Sequence, residues 1–257
     1  MEHDIQKASL WKRIAAGILD LILIMVLATG FGWAISAVSD YDHYLSAYKA
    51  EYQACADKYE IKLDMSAEEF ERMPEPERQA YGERAEQAYA EISQNQKANY
   101  YYGMVINLGL LIVVGGVLLA MLLLEWLVPL LLKNGQTVGK KVFAICVVRN
   151  DGVALNGVQH FTRTILGKYA VETMIPLYVG VMMLLGIHNG VLILFAAALL
   201  ITQLVIVTVT RNNCLLHDLM AGTVVVDYST QKIFKSTEDL IAYQKRIAAE
   251  RAARQTY

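Results

Sequence analysis

Residues 14 to 38 read IAAGILDLILIMVLATGFGWAISAV, an apolar run longer than the roughly 20 residues that a helix needs to cross a bilayer. The run holds one charged side chain, Asp20, and it begins directly after Arg13. An ionised carboxylate at membrane depth costs about 2.5–3.5 kcal/mol on insertion scales, so it usually faces protein or water. The stretch therefore predicts a transmembrane helix with a polar interior contact. It is too long for the apolar core of a secretory signal, about 7–15 residues, so we expect it to stay uncleaved.

Three further apolar runs follow, within residues 104–132, 167–186 and 191–210. The last two are joined by a Gly-Ile-His-Asn-Gly turn, and we prefer two full crossings to a helical hairpin that dips in and returns. Of the 257 residues, 55% are hydrophobic and 19% are charged, fewer than the roughly 25% typical of soluble domains. A net charge of −2 without a basic stripe argues against nucleic-acid binding. We predict an all-α polytopic membrane protein with four transmembrane helices.

Basic residues set the predicted orientation, because cytoplasmic loops are enriched in Lys and Arg. Residues 39–99 carry seven basic and fourteen acidic side chains, a net charge of −7. The segment after the second run holds one acid, Asp151, and many basic residues: Lys133, Lys140, Lys141, Arg149, Arg163 and Lys168. We expect a plasma-membrane protein with both termini cytoplasmic and residues 39–99 outside.

The acidic segment 39–99 has helical periodicity in its tyrosines, so we predict an extracytoplasmic helical hairpin whose legs are nearly continuous with the first two spans. Ser66-Ala-Glu-Glu69 is a capping-box start for a short helix between them. The tyrosine stripe has two interpretations. It is a binding surface for a partner, or the two amphipathic legs pack on each other.

Short strand-like segments, 142–148, 153–155, 223–226 and 232–234, predict a small cytoplasmic β element of two hairpins. From Ser236 a capped helix runs nearly to Tyr257, either on anionic lipid or solvated. The chain thus divides into 1–38 (N-terminal segment and first helix), 39–99 (outer hairpin), 100–228 (three helices and cytoplasmic loop) and 229–257 (tail helix).

Each span carries one polar residue in what we expect to be the inner half of the membrane: Asp20, Glu125, Glu172 and Gln203. Their similar depth, from the helical rise of 1.5 Å per residue, predicts a shared pocket open to the cytoplasm. Arg13, Arg163, Lys140 and Lys168 are available as counter-charges. The alternative is a structural cluster of charges that holds the helices together.

Other motifs predict no chemistry. Cys55, Cys146 and Cys214 have no disulfide or zinc spacing. The Gly-rich stretch 135–141 lacks the spacing and the Ser or Thr of a phosphate loop. His217-Asp218 has no second pair of metal ligands. We therefore expect no metal, no cofactor and no enzyme activity.

The run Arg13-Ile-Ala-Ala-Gly-Ile-Leu-Asp20, the stretch Gln136-Thr-Val-Gly-Lys140, Arg163 and the closing Leu-Leu-His217-Asp218-Leu-Met-Ala-Gly-Thr resemble the RDD family of membrane proteins. Arg13, Asp20 and Asp218 match the arginine and two aspartates for which the family is named. The resemblance covers about 7–38 and 101–228, and the hairpin 39–99 departs from it. It implies a transport role with mostly undefined ligands, and sodium/proton antiport for some members.

Together these observations predict a transporter or cation/proton exchanger. Asp20 and Glu125 would carry Na⁺ or H⁺, Arg13 and Arg163 would balance them, and Asp218 would position an inner gate. Four helices enclose little volume, so we expect a homo-oligomer. The alternative is a membrane scaffold or assembly factor that binds a protein partner through residues 39–99.

Overall fold

The computed structural model describes residues 5–132, 135–184, 186 and 188–255. Lys133, Ile187 and Tyr257, which the sequence-based boundaries include, lie outside these residues. In chain order the elements are α1 (Leu10–Val38), α2 (Tyr41–Lys58), α3 (Ala67–Glu71), α4 (Glu75–Gln94), α5 (Gln96–Leu132), α6 (Val138–Val142), β1 (Ile145–Arg149), α7 (Gly157–Leu184), α8 (Gly190–Val209), α9 (Leu216–Ala221), β2 (Thr223–Asp227) and α10 (Thr237–Gln255).

Among the described residues, four helices are long and apolar enough to cross a membrane: α1, α5, α7 and α8. The predicted all-α membrane fold with four spanning helices is therefore confirmed. The third helix begins at Gly157, well before the predicted position 167, because its first turns are polar and hydropathy does not mark them. This places Arg163 inside a spanning helix rather than in the preceding loop.

Two of the spanning helices contain a π-helical segment. α5 is π-helical over Leu122–Leu127, and α7 is π-helical over Thr162–Thr173. Glu125 lies in the first π segment, and Arg163 and Lys168 lie in the second. π-Helical turns are rare and occur often at functional sites. Apart from Lys97 at the start of α5, the charged side chains of these two helices thus lie where the backbone is irregular.

The chain divides into two compact units, one formed by residues up to Thr29 and from Val117 onward, the other by Gly30–Gly116. In the second unit α2 and α4 pack on each other through buried Ala56, Ala88 and Ile92. The predicted capping box is present, with Ser66 accepting from the amide of Glu69. Some tyrosine rings of this hairpin pack on one another, as Tyr48 and Tyr52 do. Others remain accessible to solvent, such as Tyr89, which is 72% exposed.

The first unit contains a two-stranded antiparallel sheet, which corrects the prediction of two local hairpins. β1 pairs with β2, with Cys146 opposite Val226, although the strands are far apart in the chain. The segments around Ala154 and Phe234 contribute only isolated bridges. Residues of β1 are buried on both faces of the sheet. Pairing with β2, which is also apolar, therefore buries more apolar surface than pairing with the short polar segment that follows β1 would.

The ends of the chain are attached to this sheet. Lys7 bridges to Val226, and the amide of Ala8 donates to the carbonyl of Val225. At the other end, Leu240 and Tyr243 of α10 pack against Val153 and Phe234. The first turns of the tail helix are therefore docked on the protein. Its basic residue Arg254 is exposed near the far end.

Candidate functional site

Asp20 is buried in α1, with 2% of its surface exposed, and its carboxylate is held by the start of α6. The hydroxyl of Thr137 donates to one carboxylate oxygen (2.5 Å), and the amide of Gly139 donates to the other (2.7 Å). Thr137 is also the N-cap of α6 and accepts from the amide of Lys140. The Gln-Thr-Val-Gly-Lys stretch is therefore a turn that binds the aspartate of the first span.

Glycine is required at position 139 because α1 and α6 approach so closely. A Cβ there would lie 2.3 Å from the carbonyl oxygen of Ala16 and 2.9 Å from the Asp20 carboxylate. Only a residue without a side chain allows this amide to reach Asp20. The sequence drew attention to this motif through a family resemblance, but it gave no role to Thr137 or Gly139.

A second cluster centres on Asp218 at the start of α9, which is fully buried. Its Oδ1 accepts from Nε and Nη2 of Arg163 (3.0 and 2.9 Å), and its Oδ2 accepts from Nη2 of Arg13 (3.3 Å) and from the amide of Leu215. Burial acts to raise the pKa of Asp218, but the charges of Arg163 and Arg13 hold it well below its usual range. One ionised carboxylate thus joins the first span, the third span and the segment after the fourth.

His217 links this cluster to the third span. Its Nε2 lies 3.0 Å from Nη2 of Arg163, which is always a donor, so this nitrogen accepts. The proton is then on Nδ1, which donates to Glu172 (2.6 Å). Burial and the charge of Arg163 lower the pKa of His217, in keeping with a neutral ring. The carboxylate of Glu172 also accepts from the amide of His217, and the side-chain oxygen of Gln203 accepts from the amide of Leu216.

Glu125 and Lys140 are the two least satisfied charged groups of this region. Glu125 forms an ion pair with Lys168 through Oε1, and its Oε2 is buried without a hydrogen-bond partner among the described residues. Lys140 is 8% exposed, and its ammonium donates to the hydroxyl of Thr137 (3.2 Å). Within the described part of the chain no carboxylate lies within 4.0 Å of that ammonium. Burial lowers the pKa of Lys140 to about 8, although the charge of Glu125 acts to raise it.

These residues surround a cavity of about 480 Å³ in the first unit. We call one part of its wall the charged end; it comprises Arg13, Asp20, Glu125, Lys140, Arg163 and Lys168, with His217 beside them. A second part of the wall, the apolar end, comprises Leu21, Ile24, Met25, Ala28, Met121 and Leu177, with Val117 at its edge. A site of this size accommodates an organic molecule as well as an ion. The described residues contain no group of three His, Cys, Asp or Glu side chains placed to hold a metal.

The sequence-based site is brought together in part. Asp20 and Glu125 line the cavity with four of the predicted cations, whereas Glu172 and Gln203 bind the start of α9 instead of the cavity. Arg13 and Arg163, predicted as counter-charges of Asp20 and Glu125, form their ion pairs with Asp218. Asp20 is held by neutral donors, and Glu125 pairs with Lys168.

Comparison with known proteins gives one match. The model of the RDD family covers residues 7–222, which include Arg13, Asp20 and Asp218. No curated protein and no solved structure matches the chain. Proteins of this family are membrane proteins, in agreement with the four apolar helices. The matched region contains every residue described above for the Asp20 and Asp218 clusters, and the chain belongs to the RDD family.

Proposed function

We propose that this chain is an integral membrane transporter whose intramembrane carboxylates exchange a cation, Na⁺ or another monovalent ion, for protons. The observation that carries the proposal is the cavity between spanning helices with two buried carboxylates, Asp20 and Glu125, in its wall. Ionisable groups inside a membrane are costly and usually line ion or solute pathways. Oε2 of Glu125, which has no hydrogen-bond partner among the residues that the structure describes, offers an oxygen that a cation or a proton would bind.

The proposed location is the plasma membrane with both termini in the cytoplasm. The charge of −7 on residues 39–99 and the basic residues flanking the first and third spans support this orientation. The charged end of the cavity then lies toward the cytoplasm, since Arg13 is close to the start of α1. A pathway across the whole bilayer needs more volume than four helices enclose. We therefore propose that the functional form is a homo-oligomer.

The test is ion flux in vesicles that contain only the purified chain. With an imposed proton gradient, added Na⁺ or K⁺ should release protons through the parent protein. Glu125→Gln should abolish this release, because the glutamine amide carries no negative charge and does not bind or release a proton. Its side-chain oxygen can still accept a hydrogen bond from Lys168. Asp20→Asn should also abolish the release, although asparagine places an NH₂ group against one of two donors, so its folding must be checked.

Glu86→Gln is the matched control, since Glu86 is an exposed acid of the hairpin outside the cavity. It should leave flux unchanged. If Glu125→Gln vesicles, with normal amounts of folded protein, move ions as well as the parent, the proposed mechanism is wrong.

A second function is supported by the hairpin. Between α2 and α4 lies a groove of about 190 Å³ whose wall includes Leu63 and Tyr89, 52% and 72% exposed, on a strongly acidic segment. These features suit a scaffold that binds a basic partner through residues 39–99. Deleting 41–97 separates the two functions, because flux should survive the deletion if the chain is a transporter, and partner capture should be lost if it is a scaffold.

A further inference from the structure

Polarity changes in the same direction along three helices of the cavity wall. On α1 the wall runs from Arg13 and Asp20 to Ile24 and Ala28, and on α7 it runs from Arg163 to an apolar end deeper in the helix. On α5 the chain runs in the opposite direction, so that the apolar residues Val117 and Met121 come before Glu125. From the helical rise, the wall on α1 is about 20 Å long. The cavity is thus an elongated groove that runs from the charged end to the apolar end.

The charged end lies near one membrane face and the apolar end lies deeper. Arg13 is in the first turn of α1, and Arg163 is in an early turn of α7. Leu21 and Met25 line the apolar end, yet 54% and 53% of their surfaces are exposed, so the groove opens sideways on the surface that spanning helices present to lipid. An amphiphile in the bilayer has the same arrangement, with a polar head at the interface and a chain toward the middle.

Two unsatisfied groups define what the head must carry. Lys140 is a buried ammonium whose one hydrogen bond to the described residues goes to a hydroxyl, so it calls for an anion. Glu125 Oε2 is a buried acceptor without a donor in the described chain, so it calls for an N–H or O–H group. Both line the same cavity. A phosphate alone satisfies the first group only, and a metal cation satisfies the second only.

We infer that the cavity binds a single-chain phospholipid, with its phosphate on Lys140, a donor of its head group on Glu125 and its acyl chain along the apolar end. A volume of about 480 Å³ accommodates one chain rather than two. The transport of such a molecule rests on the proposed function, but its binding does not. The remaining cations of the charged end are already engaged, since Arg13 and Arg163 bind Asp218 and Lys168 binds Glu125.

The test compares two probes on the purified full-length chain in a neutral maltoside detergent. Lysophosphatidylethanolamine has a phosphate and an ammonium that donates hydrogen bonds. Lysophosphatidylcholine has the same chain and phosphate, but its quaternary nitrogen has no N–H. Native mass spectrometry and thermal shift titrations should show the ethanolamine lipid binding about tenfold tighter, the effect of one charge-assisted hydrogen bond. Equal binding of the two lipids by the parent protein would overturn the inference.

Three variants locate the site. Glu125→Gln should remove the preference between the two lipids, Lys140→Gln should weaken both by about tenfold or more, and Ala28→Trp should block both by filling the apolar end. Val26→Trp is the control, because Val26 is on the same helix, 66% exposed, and outside the cavity wall. Unchanged lipid binding in Lys140→Gln or in Ala28→Trp would contradict the placement. If a variant is unfolded, the comparison of the two lipids on the parent decides alone.

Ion flux measured on the same preparations separates the two proposals. Selective lipid binding without cation/proton exchange would retain the binding site and refute the exchanger. Exchange that depends on Glu125 without selective lipid binding would retain the exchanger and refute the lipid site.

Discussion

Substitution of Gly139 by alanine tests whether the turn at the start of α6 holds Asp20. The added Cβ would lie 2.3 Å from the carbonyl oxygen of Ala16, far closer than van der Waals contact. That oxygen belongs to the backbone of α1 and cannot rotate away, so α6 must shift. The shift breaks the hydrogen bond from the Gly139 amide to Asp20 and weakens the one from Thr137.

The magnitude follows from these two effects. A hydrogen bond to a buried charged group contributes about 1.5–3 kcal/mol, and overpacking of a buried contact costs about 1–3 kcal/mol. We expect Gly139→Ala to lower the free energy of unfolding by about 3–5 kcal/mol. At about 2–4 °C per kcal/mol for a chain of this size, the melting temperature should fall by roughly 10 °C.

The assay is thermal unfolding of the detergent-solubilised protein, followed by tryptophan fluorescence. Gly180→Ala is the matched control, because no atom lies within 4 Å of a Cβ at that position of α7. It should keep the melting temperature of the parent or raise it slightly, since alanine favours a helix by about 1 kcal/mol over glycine. If Gly139→Ala melts within about 2 °C of the control, the close approach of α6 to α1 is refuted.

Three further outcomes follow from the structure. Asp218→Asn leaves Arg13 and Arg163 buried without a carboxylate and should lower the free energy of unfolding by about 3–5 kcal/mol. Because the pKa of Asp218 is held far below its usual range, thermal melts should show that loss undiminished between pH 8 and pH 5. Burial lowers the pKa of Lys140 from 10.5 to about 8, so the unfolded chain binds more protons between these values and the parent should gain about 3 kcal/mol of stability as pH rises through them. Lys140→Met should lack that gain in melts at pH 7–10.5, and a rise equal to the parent's would assign it to another group. Ser66→Ala removes an exposed capping box and should destabilise α3 locally by about 1 kcal/mol, seen as faster amide exchange at Glu69 without a change in global melting.

The spanning helices were predictable because their length and apolarity reflect the thickness of a bilayer, which does not depend on the rest of the fold. The burial of Asp20 was predictable for the same reason, since an exposed carboxylate would face lipid. The start of the third helix was not, because the π-helical turns around Arg163 and Lys168 carry polar side chains that hydropathy assigns to a loop.

The pairing of charges in the site was beyond the sequence. The closest contacts of Asp20 are a hydroxyl and a backbone amide, neither of which a count of Lys and Arg considers. Arg13 and Arg163 share Asp218, a residue outside the spans, because the turn before α9 returns to the first and third helices. Which carboxylate an arginine binds depends on how segments fold back, and helical depth alone does not specify it.

The contacts of the N-terminal residues with the segment after the fourth spanning helix have a consequence for biosynthesis. Arg13 contacts Asp218, 205 residues later, and the bridge from Lys7 to Val226 is longer still. At about 5–20 residues per second, the ribosome needs roughly 10–40 s to make the partner that the first helix requires. During that interval Arg13 lacks its partner Asp218. A nascent chain released before position 218 would therefore keep Arg13 without the carboxylate that it binds in the complete fold.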